Sequence, residues 1–330
     1  MALKGEQLKE HVASKSLRKK KFLRFLKFYL IPGWRDPEFS AQEYQIEKIK
    51  SKRRLFRHLI KHLTLIGLIM ILFIFALAVF APWITPYPLQ DLVIPHVPLN
   101  PDPYALPSPE HPLGTTYHGY DVLARIIWGA RTTVFSSLIP VAISLGLGLA
   151  IGIFSAYIGG VIDYLIMRFV DLFYAFPTLI LIIIITPMVG SDLFTTLIVY
   201  GLLFIPYNIR FMRSLVFQIK QLEYVQAAKV GGASRFIVMF KHILPNAVSP
   251  MLISFFGGAA VAIIGLAGLA FIGFSDNTVA SWGIDILWAR GKYSNLGAAV
   301  WPGLFIGIAA IGYILLGDGF RDALDPRLKL

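Results

Sequence analysis

Residues 63–83, LTLIGLIMILFIFALAVFAPW, carry no charged side chain over a stretch long enough to cross a lipid bilayer. About 20 residues at about 1.5 Å of rise match a hydrocarbon core about 30 Å thick. In that medium the backbone must satisfy its own hydrogen bonds, which commits the segment to a helix. Runs of the same kind predict spans at about 63–83, 134–158, 169–189, 193–215, 247–274 and 299–317, six in all. The composition agrees, since 56% of the 330 residues are hydrophobic and 15% are charged, where soluble domains carry roughly 25% charge. The expected class is an all-α membrane protein. Cysteine is absent, which excludes a disulfide framework and a thiolate metal site.

The net charge of +12 invites a nucleic-acid reading until its position is considered. Seventeen of the 31 Lys and Arg residues lie within 1–61, ahead of the first span. Basic residues flanking spans mark the cytoplasmic side and gain from anionic membrane lipids. The charge therefore reports topology, and no nucleic-acid partner is expected. With residue 1 inside, the inner loops also hold Arg168, Lys220, Lys229, Arg235, Lys241, Arg321, Arg327 and Lys329, against Arg125, Arg131, Arg290 and Lys292 outside. Both termini are expected in the cytoplasm of a multi-pass cell-membrane protein. The chain then divides into a basic segment at 1–62 with an interfacial amphipathic helix at 16–34, a first span with a Pro-rich extracytoplasmic loop at 63–133, a core at 134–317, and a tail at 318–330.

Within the spans, GLGLAIG (146–152) and FFGGAAVAIIGLAGLAFIG (255–273) space Gly and Ala by three and four residues, which lets helix backbones approach closely. Asp171 stands three residues after Arg168, at ion-pair spacing. His58 and His62 have the spacing of a metal clip but no third ligand nearby, so no metal site is expected. Trp282 has the character of an interfacial anchor. No phosphate loop, H-E-x-x-H pair or G-x-S-x-G elbow occurs, so no catalytic residue is assigned and the chain carries no energy source that can be recognised. It is therefore a channel, a gradient-driven carrier, or a subunit whose motor is another polypeptide.

The stretch EYVQAAKVGGASRFIVMFKHILPN (223–246) bears on that choice. LEYVQAAKVGG predicts a short helix ended by a glycine cap. Ser234 can cap a second helix, RFIVMFKHIL, that ends where Pro245 turns the chain into the fifth span. Ala227, Ala228 and Gly232 keep the hinge between the two slim, while Glu223, Gln226 and Lys229 give its rim polar handles. On these grounds alone, a docking knob and a plain helical loop fit equally well.

The same residues resemble the signature of permease subunits of ATP-binding-cassette importers: E-A-A, three residues, Gly, nine residues, I-x-L-P. Here Gln226, Ala227 and Ala228 are followed by Gly232 and by HILP (242–245), with Gln226 in place of Glu and His242 in place of Ile. Both departures are similar to the dipeptide, oligopeptide and nickel branch. HPLGTTYHGYDVLARIIWGARTTV (111–134), MRFVDLFYAFPTLIL (167–181), LAFIGFSDNTVASWGIDI (269–286) and LLGDGFRDALDPRLK (315–329) resemble its C-type subunit, although HGYDVL stands where the family usually has Gly-Arg-Asp.

The resemblance implies a type I importer permease fold with six transmembrane helices and a cytoplasmic coupling helix, within 219–246, between spans 4 and 5. It implies a heterodimer with a B-type permease, two ABC ATPase subunits that hold ATP and Mg, and an extracytoplasmic solute-binding protein. This chain itself would hold no cofactor. Glu223, Tyr224, Gln226, Ala227, Ala228, Lys229, Gly232, Ala233 and Ser234 are the implied ATPase-coupling residues; no substrate contacts are assigned. The implied cargo is di- or oligopeptide, with nickel chelates or oligosaccharides as alternatives. A gradient-driven secondary transporter would instead work without ATP.

Overall fold

A charge-free run of 23 residues becomes helix α1, His62–Ile84, about 34 Å long. The structure, a computed structural model, describes residues 62–93, 103–290 and 296–324. The amphipathic segment 16–34 and His58 of the histidine pair lie outside the described residues. The chain divides into two units, His62–Arg321 and Met1–Lys61 with Asp322–Leu330, and the first is the helical body described below. Thr64, Gly67, Ile74, Ala78 and Ala81 of α1 are buried, a spacing that gives the helix one packed stripe. The remaining faces present Phe73, Phe75 and Phe80, as a helix bathed in lipid can.

Helix α2, Val122–Ile158, is the central element, and it starts twelve residues before the expected span at 134. Asp121 caps it by accepting the Ala124 amide at 2.7 Å. Arg125, expected in a loop, is instead inside this helix and fully buried. Its guanidinium is neutralised by Asp285 and donates to the Leu92 carbonyl. Arg131 is likewise helical. A hydropathy reading stops at Arg125 because it cannot see the partners that bury it.

The third expected span, 169–189, is broken. Helix α3 runs Gly160–Tyr174 and α4 runs Thr178–Val189, bent by 85°. Pro177 separates them; it has no amide to donate and disfavours a helical residue before it. Asp171 of α3 does not pair with Arg168. It accepts from Arg210 at 2.6 Å, while Arg168 turns to the hydroxyl of Tyr164. Helices α5, Leu193–Leu203, and α6, Ile205–Lys220, together make the fourth span.

After α7, Glu223–Val230, comes α8, which runs without interruption over Arg235–Phe271. The expected turn at Pro245 is absent. Val238–Ile243 wind as a π-helix that ends two residues before the proline, with the Leu244 amide donating to the Met239 carbonyl, so the helix continues past a residue that has no amide to give. Helix α9, Trp282–Ala289, and α10, Gly297–Leu324, complete the described body. Among the described residues, five helices are long and apolar enough to span, or six if the bent pair counts as one. The helical membrane class is therefore as read from the sequence.

Small residues set the packing. A Cβ on Gly148 would fall 2.3 Å from that of Asn208, and one on Gly152 would fall 2.7 Å from that of Met212, so α2 and α6 lie backbone to backbone. Gly283 seats α9 on α8 against the Ala267 carbonyl and Ala270. Trp282 is not an interfacial anchor. It is 1% exposed, donates its indole N–H to the Ile126 carbonyl at 3.0 Å, and joins a core of Ile74, Ala130, Ala260, Ile263 and Tyr313.

Candidate functional site

The α7 region lies at the end of α2 opposite to α9. Helix α7 carries Glu223 in its first turn and Lys229 in its last, both favourable to the helix dipole. It closes with a Schellman arrangement: the Ala233 amide donates to the Ala228 carbonyl at 3.0 Å and the Gly232 amide to the Lys229 carbonyl at 3.1 Å. This geometry needs Gly232 at a φ of +80°, a left-handed conformation that other residues adopt only with strain. Ser234 then caps α8, accepting the Ile237 amide at 3.4 Å. The two glycine and serine signals read from the sequence are both in place.

A side chain absent from that reading holds the region down. Val225 is fully buried and packs with Ile153 and Ala156 of α2, Val216 and Ile219 of α6, and Val238, Ile243 and Ala247 of α8. It is the one buried residue of α7, and a single valine gave no periodicity to detect. Gln226 adds a hydrogen bond from its side-chain amide to the Lys220 carbonyl at 2.7 Å, and Lys220 reaches the Ala156 carbonyl at 3.4 Å. The Lys229 ammonium stands over the Tyr157 ring at 5.9 Å; burial, and then Lys220, lower its pKa from the ordinary lysine value. Tyr224 is half exposed with its ring 6.3 Å from that of His242, and burial raises its pKa.

Beneath this root lies a bracket that the sequence did not suggest. Asp163 at the start of α3 accepts two bonds from Arg213 of α6, both 2.7 Å, and one from the Ser155 hydroxyl of α2 at 2.6 Å. Three helices are thereby tied together just where α7 is seated. Charges on separate segments give no local pattern from which such a tie could be read.

The outer surface is different in character. Glu223, Gln226, Ala227 and Ser234 are exposed, and Ala228, Lys229 and Ala233 are half-buried. Between and beyond them, Val230 is 90% exposed and Phe236 73% exposed, and Ile237 and Phe240 are also open. A braced, capped loop that presents large apolar side chains among polar ones has the make-up of a protein-binding surface.

Comparison with known proteins bears on what it binds. Residues 148–330 match the family model described as binding-protein-dependent transport system inner membrane component. Residues 52–101 match that of the N-terminal TM domain of oligopeptide transport permease C. Among curated relatives, a dipeptide transport system permease protein of Haemophilus influenzae is 36% identical, over 80% of this chain and 90% of its own length. One with the same description from Alkalihalophilus pseudofirmus is 32% identical over 89% and 96%. A glutathione transport system permease protein of Pectobacterium atrosepticum is 31% identical over 83% and 90%.

Proposed function

The chain belongs to the binding-protein-dependent transport system inner membrane component family, and from that premise we propose that it is one of two permease subunits of an ATP-driven importer of di- or oligopeptides. The peptide cargo is supported by its relatives, which are described as transporting dipeptides and glutathione. The remaining parts are a B-type permease partner, two ABC ATPases that hold ATP and Mg, and an extracytoplasmic binding protein.

In this reading the α7 loop is the coupling element, on the cytoplasmic face with both termini. Glu223, Tyr224, Gln226, Ala227, Ala228, Lys229, Gly232, Ala233 and Ser234 form the seat for one ATPase, and Val230 and Phe236 fill apolar pockets on it. The observation that carries this is the coincidence of a rigid root with an open apolar surface. Val225 and the Asp163 bracket make the loop stiff enough to pass on a displacement, and the exposed apolar residues give a partner something to grip. Closure of the ATPase pair then tilts α2, α6 and α8 as packed bodies between two discrete arrangements. The peptide must bind the two arrangements unequally for the cycle to move it.

Gly232→Leu tests the reading. Nothing lies within 4 Å of a Cβ at this position, so the added bulk meets the partner and not this chain. Backbone strain alone costs about 1–2 kcal/mol and is shared by Gly232→Ala, which serves as its control. The expected result is that Gly232→Leu inserts into the membrane but loses ATPase binding and peptide uptake, while Gly232→Ala keeps part of both. Undiminished uptake in Gly232→Leu contradicts the coupling role.

A further inference from the structure

Two ion pairs join α3 to α6, and they differ in kind. Asp163 and Arg213 make a two-point contact in which the carboxylate is only 11% exposed. Asp171 and Arg210 make a one-point contact at 2.6 Å, with side chains 49% and 46% exposed. The first has the form of a structural tie. The second is open, and solvent-accessible pairs of this sort are weakly held.

Its position makes that openness informative. Arg210 lies ten residues before the end of α6 at Lys220, about 15 Å along the helix axis. The span to which α6 belongs is 28 residues, or about 42 Å against a core of about 30 Å. Arg210 therefore falls within the length of the span and not at its end. Ionised groups within a span face water or protein and not lipid. The guanidinium also stacks on Tyr174 at 3.9 Å, which fixes its orientation and leaves the fork free to turn to another acceptor.

The same face continues into a cavity. Tyr207, three residues before Arg210 and so on the same side of α6, lines a space of about 460 Å³ between α2, α5, α6 and α8. Ser144, Tyr200, Asn208, Ser254 and the glycine backbone at Gly257 and Gly258 also line it. Its volume lies in the ordinary range for a small-molecule site. Hydroxyls and an amide offer hydrogen bonds to a peptide without selecting its side chains, and the missing side chain of Gly257 leaves room beside them.

We propose that Asp171 and Arg210 form a charge station on the translocation path, at which they release one another and bind the terminal ammonium and carboxylate of a zwitterionic peptide. The proposal rests on the peptide-importer reading above. A peptide end group replaces each partner with a group of the same charge and similar geometry, so the exchange leaves no charge unpaired. Arg210 presents a planar fork to the carboxylate, which a lysine cannot reproduce.

The absence of cysteine from the chain makes a direct test possible. Tyr207→Cys is placed beside the station and Phe75→Cys on the apolar face of α1, each in the complete importer in nanodiscs. A charged thiol reagent is then applied, and its attachment to this chain is followed by mass. The expected result is labelling of Tyr207→Cys but not of Phe75→Cys. Dialanine slows it several-fold and N-acetyl-dialanine amide does not. Protection is lost in Tyr207→Cys combined with Asp171→Asn or Arg210→Lys, and kept with Asp171→Glu. Labelling of Tyr207→Cys as slow as that of Phe75→Cys overturns the station, because the face then meets lipid or a subunit. Uptake of labelled dialanine by the complex that carries the unsubstituted chain is measured in parallel. Uptake without protection overturns the station alone. Absence of both overturns the peptide reading and the station with it.

Discussion

Arg125 shows how far a single residue can lie from its sequence appearance. In the chain it interrupts an apolar stretch; in the structure it has no exposure, and Asp285, the Leu92 carbonyl and the Trp288 ring, 4.6 Å away, surround its guanidinium. Burial pushes the Asp285 carboxyl up and the guanidinium opposes that. Arg125→Met leaves only the raising influence and an uncompensated carboxylate, which costs about 3–5 kcal/mol. Arg125→Met with Asp285→Leu recovers most of it. The sign with pH follows: a folded-state pKa above the unfolded one gives stability that is present at low pH and lost as pH rises through the folded value. The single variant, unfolded thermally in detergent, is therefore closer to its parent at about pH 5 than at about pH 8, and a deficit that grows toward acid contradicts the assignment. At this scale the sequence showed the small-residue packing but not its members: Gly148 and Gly152 are in close contact, whereas Gly146, Gly257 and Gly268 face open space.

At the scale of elements, what was legible was what is local. Helix α7, its Gly232 cap and the Ser234 cap follow from neighbouring residues, and the sequence predicts them. The bend after Tyr174 and the passage of α8 through Pro245 were not legible, although both involve a visible proline. Whether a proline breaks a helix or is absorbed by a π-turn depends on what packs around it, and that is tertiary information. The Asp163 bracket belongs here too, because it fixes α3 on α6 and α2. Arg213→Leu removes a two-point charged contact from a carboxylate that is largely buried, and should lower stability by about 1–3 kcal/mol. Arg213→Lys should restore little of it, since an ammonium cannot match the fork. Thermal unfolding of the three proteins side by side checks this. Full rescue by lysine shows that charge alone sufficed.

For the whole molecule, the helical membrane class was legible, and the six expected crossings stand against five long helices, or six if the bent pair counts as one span, among the described residues. The candidate loop was legible too, because a polar, capped segment between spans departs from the apolar background. The far end, where α9 and the start of α2 form a core around Trp282 and Arg125, was not, since those contacts join residues over 150 positions apart. The molecule thus has a braced, apolar-tipped loop at one end of α2 and a buried polar core at the other. The proposed coupling role makes the first of these the point at which force enters. The most direct test uses Val230→Cys, the most exposed apolar position of the loop, in a chain with no other cysteine, purified with its partners and treated with a short bifunctional cross-linker. The expected result is a product joining this chain to an ATPase subunit, and no reaction in intact cells with a thiol reagent that cannot cross the membrane. A Val230→Cys that is labelled from outside the cell, or that cross-links to no ATPase in the assembled complex, contradicts the coupling role.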